Sequence, residues 1–251
     1  MTPTVAELWT RLEPFVRMIG PPDVERRPTV LMFHDCGGHR DTLVPYAEAV
    51  AALGVRAFII DSFTPRGWTS EVAKATICTG LRFHGRKRAG DVLAALHGLG
   101  GRDDVDADRL MLAGWSHGAW SIMDLMTMPL TTVGEANVAD PDPARLDAVK
   151  ALFLMYPYGG VGALSRERPW VRTAPQALAV DAGRDHLTWA SAARRLHEAV
   201  EASGCTLQVW RIPQATHCFD VQGVWPPMRY DAHLTREAVA RFAAFTKAAL
   251  I

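Results

Sequence analysis

Residues 114–118 read Gly-Trp-Ser-His-Gly, which sets Ser116 between two glycines. A serine hydroxyl is a poor nucleophile at neutral pH because it must shed its proton on attack. It needs a base, and the base needs an acid to orient it. Further along, "DAGRDHLT" supplies Asp181 and Asp185, and "QATHCFD" supplies His217. Serine, then aspartate, then histidine is the chain order of an acyl-transfer triad whose serine sits on a strained strand-to-helix turn. Seven serines and 20 glycines in 251 residues make a chance G-x-S-x-G worth about 0.04 matches. Context therefore decides, and here the apolar "RLMLAG" precedes the motif and the helical "AWSIMDLM" follows it.

Each candidate has a rival. His186 stands beside Asp185 and competes as base, but it precedes the last strand, so His217 is preferred. Asp181 lies at a strand end and suits a backbone or capping bond; Asp185, past the turn at Gly183, can reach an imidazole. An oxyanion needs donors placed in advance. The expected donors are the backbone N–H of His117, directly after the serine, and that of Cys36, in the glycine-rich loop "HDCGGH" at 34–39. His34, Asp35 and His39 raise a metal, but no further ligand follows at sensible spacing, so loop geometry is the expected role and no metal site or cofactor is assigned.

The elements that must hold these residues alternate. Short apolar strands are expected at 29–34, 56–61, 109–115, 148–157, 175–183 and 206–213. Helices are expected at 43–54, 89–100, 117–126, 188–204 and 235–251, the last with Thr235 as N-cap. Alternation of this kind predicts an α/β fold with a mostly parallel central sheet flanked by helices, in one domain over 1–251. Ligands then bind outside the carboxyl ends of the strands. Residues 62–88 read as a long connection, and 127–147 as an insertion that could form a cap or lid.

Composition bounds the rest. The chain is 49% hydrophobic with 27 basic and 27 acidic residues, so neither nucleic acid nor a membrane is an expected partner. The basic run "RKR" at 86–88 reads as a solvated helix start. Cys36, Cys78, Cys205 and Cys218 form no CxxC pair, and the first residues lack a secretory apolar region. A cytoplasmic protein with free thiols is the expectation.

"LMFHDCGG", "FIIDSFTPRGW", "LAGWSHGAW" and "ATHCFD" occur in order between about Val30 and Asp220, and together they resemble the dienelactone hydrolase family of α/β-hydrolases. The resemblance implies a Ser116–Asp185–His217 triad and hydrolysis of a carboxylic ester or lactone. The namesake enzymes use cysteine where this chain has Ser116, which implies a general esterase. The fold usually begins with two strands before "TVLMFH". Only about 28 residues precede it here, "LWTRL" looks helical, and "FVRMI" at 15–19 is the one candidate strand, so the N-terminal edge is expected to be shortened. Arg66 and Trp68 in "TPRGW" could line the pocket, with Arg66 gripping a substrate carboxylate or else pinning its own loop. Trp120, Trp170, Trp189 and Trp225 could supply apolar surface. The competing reading is a non-catalytic member of the fold that binds a small molecule or partner. Oligomeric state stays open, a homodimer included.

Overall fold

The computed structural model describes residues 1–78, 82–171 and 176–251. Its strands are β1 (Val16–Ile19), β2 (Arg27–Phe33), β3 (Arg56–Ile60), β4 (Val105–Trp115), β5 (Val149–Met155), β6 (Gln176–Ala182) and β7 (Leu207–Ile212). They form one sheet in the order β1-β3-β2-β4-β5-β6-β7. Every pairing is parallel except β1 with β3. One antiparallel edge strand thus stands before β2, which is the shortened edge expected from the sequence. Pro175, the expected start of the strand at 175–183, and residues 79–81 of the long connection lie outside the described residues.

The inner strands bury both faces, as apolar runs without polar alternation require, while the edge strands β1 and β7 stay partly exposed. Successive residues of one strand enter opposite layers. Leu31 and Phe33 join the layer of α1 (Val5–Leu12), α4 (Gly85–Gly100), α5 (His117–Met126) and α6 (Ala190–Glu201). Val30 and Met32 join that of α2 (Val44–Ala51) and α7 (Ala232–Leu250). Each layer holds the sheet by apolar burial, worth roughly 1.5–3 kcal/mol per large side chain. Among the described residues, no helix is long and apolar enough to cross a membrane.

Several expectations need correction. The connection 62–88 contains a short helix, α3 (Ser70–Thr76), capped by the Thr69 hydroxyl. α7 begins at Ala232 with Asp231 as N-cap, whose carboxylate accepts the N–H groups of His233 and Leu234; Thr235 lies in the first turn. The "RKR" run is not a solvated face throughout, because Arg88 is completely buried. Cys36 and Cys78 are joined in a disulfide, while Cys205 and Cys218 are buried thiols. The bond removes the support that four free thiols lent to a reducing compartment. Residues 127–147 bury Leu130, Ala136 and Val138 with the α1 and α4 layer. Asp140 accepts the N–H of Val5 at 2.7 Å, anchoring the segment to the start of α1. It lines neither the cavity at Ser116 nor the one at His217.

Candidate active site

β4 ends at Trp115 and α5 begins at His117, so one residue makes the whole turn. Ser116 takes φ 50° and ψ −105°, a conformation costing an L-residue on the order of 1–3 kcal/mol. Its flanking glycines explain how the turn closes. A Cβ on Gly118 would stand 2.1 Å from the Phe33 carbonyl oxygen, and one on Gly114 would stand 2.4 Å from the Ala119 nitrogen. The motif therefore needs glycine at both positions for backbone to pass backbone. The Ser116 N–H donates to the Met155 carbonyl at 2.9 Å, tying the turn to β5.

The ends of three strands meet here. His217, after β7, places Nε2 2.8 Å from Ser116 Oγ and Nδ1 2.6 Å from Asp185 Oδ2. Asp185, after β6, is itself fixed by the N–H groups of Leu187 and Thr188, which donate to Oδ1 at 2.7 and 2.9 Å. Burial pushes the Asp185 carboxyl pKa up, but the His217 bond and those two N–H groups outweigh it, and the pKa falls below the ordinary range. All three side chains are nearly inaccessible to solvent. A hydroxyl, an imidazole and an ionised carboxylate in series can move a proton off the hydroxyl and stabilise the imidazolium that results. The rival groups do not take these positions. Asp181 Oδ1 is 3.3 Å from His197, and the His186 ring centroid is 6.3 Å from that of His217.

His117 and Cys36, the expected oxyanion donors, line the same narrow cavity as Ser116. The free N–H groups of the first turn of α5 and its positive dipole end belong to this region. A second polar system holds the two loops together. Arg88, reaching up from α4, donates to the His34 carbonyl at 2.7 Å, to Ser62 Oγ at 3.0 Å and to His117 Nδ1 at 3.1 Å. His117 Nε2–H then donates to the Phe83 carbonyl at 2.7 Å, which fixes its tautomer. Burial, followed by the Arg88 cation, drives the His117 pKa down to about 3. His39 Nδ1 lies 2.6 Å from Asp35, and His34 Nδ1 lies 2.7 Å from the Asp35 carbonyl, so these residues brace their own loop.

Sequence reasoning missed Arg88, because its neighbours Arg86 and Lys87 make the run look like a solvated face. It also missed Asp220, a buried carboxylate accepting from Tyr46, Tyr156 and Trp115 at 2.8, 2.6 and 3.0 Å. Burial raises the Asp220 pKa against the pull of those donors. The lone signal for it was a charge three residues past His217. Arg66 reaches neither cavity. Its guanidinium grips Asp91 through two bonds of 3.0 and 2.7 Å and the Ser62 carbonyl through a third, which pins its loop. Trp68 packs on Phe63 and Phe83 and lines neither cavity.

One cavity opens at Ser116 and a second, wider one at His217. The narrow one, about 20 Å³, is lined by Ser116, His117, Ile77, Trp120, Tyr158 and Leu187 with the Cys36–Cys78 bridge. The wide one, about 330 Å³, has His217, His186, Val224, Trp225 and Met228 along its wall and shares Leu187 and the bridge. Trp170 lies in the core and Trp189 at the surface.

Solved structures share this architecture. A dienelactone hydrolase-like promiscuous phosphotriesterase from metagenomic libraries superposes with TM-score 0.69 at 18% identity, covering 94% of this chain and 92% of its own. Est1E of Butyrivibrio proteoclasticus, solved with ferulic acid, gives TM-score 0.64 at 15% identity, covering 93% and 94%. A thermophilic esterase of Thermogutta terrifontis, solved with butyrate, gives 0.62 at 15%, covering 92% and 87%. At these identities the likeness is one of fold. No curated protein matches the chain at a significant level. The model of the dienelactone hydrolase family, however, matches residues 16–250, from the first strand to the last turn of α7; the chain belongs to that family and is a carboxylic ester hydrolase.

Proposed function

We propose that the protein cleaves small carboxylic esters or lactones through an acyl-enzyme on Ser116. His217 takes the Ser116 proton as Oγ attacks the carbonyl carbon, and Asp185 orients His217 and stabilises its charged form. The N–H groups of His117 and Cys36 receive the developing oxyanion. His217 then hands its proton to the departing alcohol oxygen, and water releases the acid in the reverse sense. No metal or cofactor enters the scheme. The observation that carries this reading is the unbroken Oγ–Nε2–Nδ1–Oδ2 series at 2.8 and 2.6 Å. Incubation with a fluorophosphonate, followed by mass spectrometry, should put the adduct on Ser116. Ser116→Ala should take no label and lose p-nitrophenyl acetate turnover by roughly 10³-fold or more while remaining folded. Ordinary turnover in that variant would remove Ser116 as the nucleophile, and a wild-type protein that neither takes label nor turns over the ester would favour the non-catalytic reading.

A further inference from the structure

We propose that the protein selects short acyl groups carried on bulky apolar alcohols, with Trp120 and Tyr158 setting the acyl limit. The inference rests on the esterase reading and gives it a substrate class. In acyl transfer the imidazole that accepts the serine proton must deliver it to the leaving oxygen, so the alcohol lies on the histidine side of the carbonyl. Here the bond from the acyl carbon to the alcohol oxygen breaks, the bond to Ser116 Oγ forms, and the alcohol leaves with the proton. His217 lines only the wide cavity, and Trp120, Tyr158 and Ile77 line only the narrow one. The alcohol is thereby assigned to about 330 Å³ and the acyl chain to about 20 Å³. A space near 20 Å³ is scarcely more than the ~10–15 Å³ that one water needs. It admits the methyl of an acetyl group and excludes a long chain.

The narrow wall is also stiff. Trp120 is 2% exposed, and its ring stands 4.8 Å from Tyr158 and 5.1 Å from His117. It presses on α4, where a Cβ on Gly85 would come within 2.4 Å of its Cδ1. The indole therefore has no room to turn toward that helix. Ile77, Leu187 and the disulfide complete the lining. The wide cavity opens past Val224, Met228 and the exposed Trp225, surfaces that suit an aryl or alkyl alcohol.

The test compares two ester series. In one, the acyl chain lengthens from p-nitrophenyl acetate through butyrate to octanoate. In the other the acyl group stays acetyl, and ethyl acetate is set against 3-phenylpropyl acetate, whose alcohols have similar acidity. Wild-type kcat/KM should fall by on the order of 100-fold or more along the first series and rise along the second. Trp120→Leu and Tyr158→Ala should each raise the octanoate-to-acetate ratio by ~10-fold. Tyr158 is half-buried, so its variant carries the test if Trp120→Leu does not fold. Equal wild-type rates on acetate and octanoate, or an unchanged ratio in folded Tyr158→Ala, overturn the proposal. Failure of the esterase reading looks different: no ester of either series is hydrolysed, and the acyl limit falls with it.

Discussion

His117 and His217 are both buried within the same site, at 2% and 1% exposure, yet their neighbours make them opposites. His217 faces a carboxylate on one nitrogen and a hydroxyl on the other. His117 faces a guanidinium on one nitrogen and a carbonyl on the other. A carboxylate bonded to one imidazole nitrogen orients the ring and leaves the other nitrogen aimed at the hydroxyl. A buried imidazole opposite a fixed cation resists a proton, and it serves as a neutral strut between α4 and α5. Residue type therefore says little about a histidine here; burial and the group bonded to each ring nitrogen set its part.

Four measurements would break or sharpen that contrast. The largest effect belongs to the imidazoles themselves. His217→Gln should lower kcat by on the order of 10⁴-fold, and His117→Gln by less than ~10-fold, since the backbone N–H assigned to the oxyanion survives the change. Comparable losses in both would erase the distinction. Next comes the carboxylate that defines His217. Asp185→Asn should cost about 10²–10⁴ in kcat, whereas Asp181→Asn, whose carboxylate pairs with His197, should leave turnover within a few-fold. A dead Asp181→Asn beside an active Asp185→Asn would move the acid to the other residue.

The third concerns the cation that defines His117. Arg88→Met strips donors from the His34 carbonyl, Ser62 and His117 at once, each buried acceptor being worth roughly 1–3 kcal/mol. Chemical denaturation should show a loss of at least ~3 kcal/mol; a loss below ~1 would mean that water replaces the guanidinium. The smallest effect is a slope. His117 binds a proton in the unfolded chain below its ordinary pKa of 6.5 but in the folded protein only near 3. Between those values the unfolded state holds more protons, so stability is fully present above pH 6.5 and is lost as pH falls toward 3. His34, lowered in the same direction chiefly by burial, adds to the slope. His117→Gln should flatten this acid limb in denaturation curves taken at several pH values, and an unchanged slope would count against the assignment.

The parallel sheet was legible because its strands are short apolar runs bounded by turn residues, and alternation with helices leaves few other topologies. The meeting of Ser116, Asp185 and His217 followed from the rule that loops after parallel strands share one face. Boundaries were less legible. β4 starts at Val105, four residues before the apolar run at 109, because its first residues carry polar side chains where the pairing has begun. α3 is seven residues long, too short for a helical period to stand out. Arg88 and the Cys36–Cys78 pair were hidden for a shared reason. Their partners lie 26 to 54 residues away, and nothing local distinguishes a buried arginine or a paired cysteine from a solvated one. Arg66 left two readings open in the sequence, and only the fold brings Asp91 within its reach.

The bridge joins Cys36 to Cys78 across a sequence separation of 42, a ring that contains β3, the loop pinned by Arg66, and α3. Closing a ring of that size removes unfolded-state freedom worth about 4 kcal/mol in the chain-entropy model. The same two residues, with Leu187, line both cavities. Thiol chemistry in the surroundings therefore acts on this molecule twice, once on how tightly it folds and once on the shape it offers to an ester. Preparations made with and without reductant should differ in melting temperature and in acyl preference together.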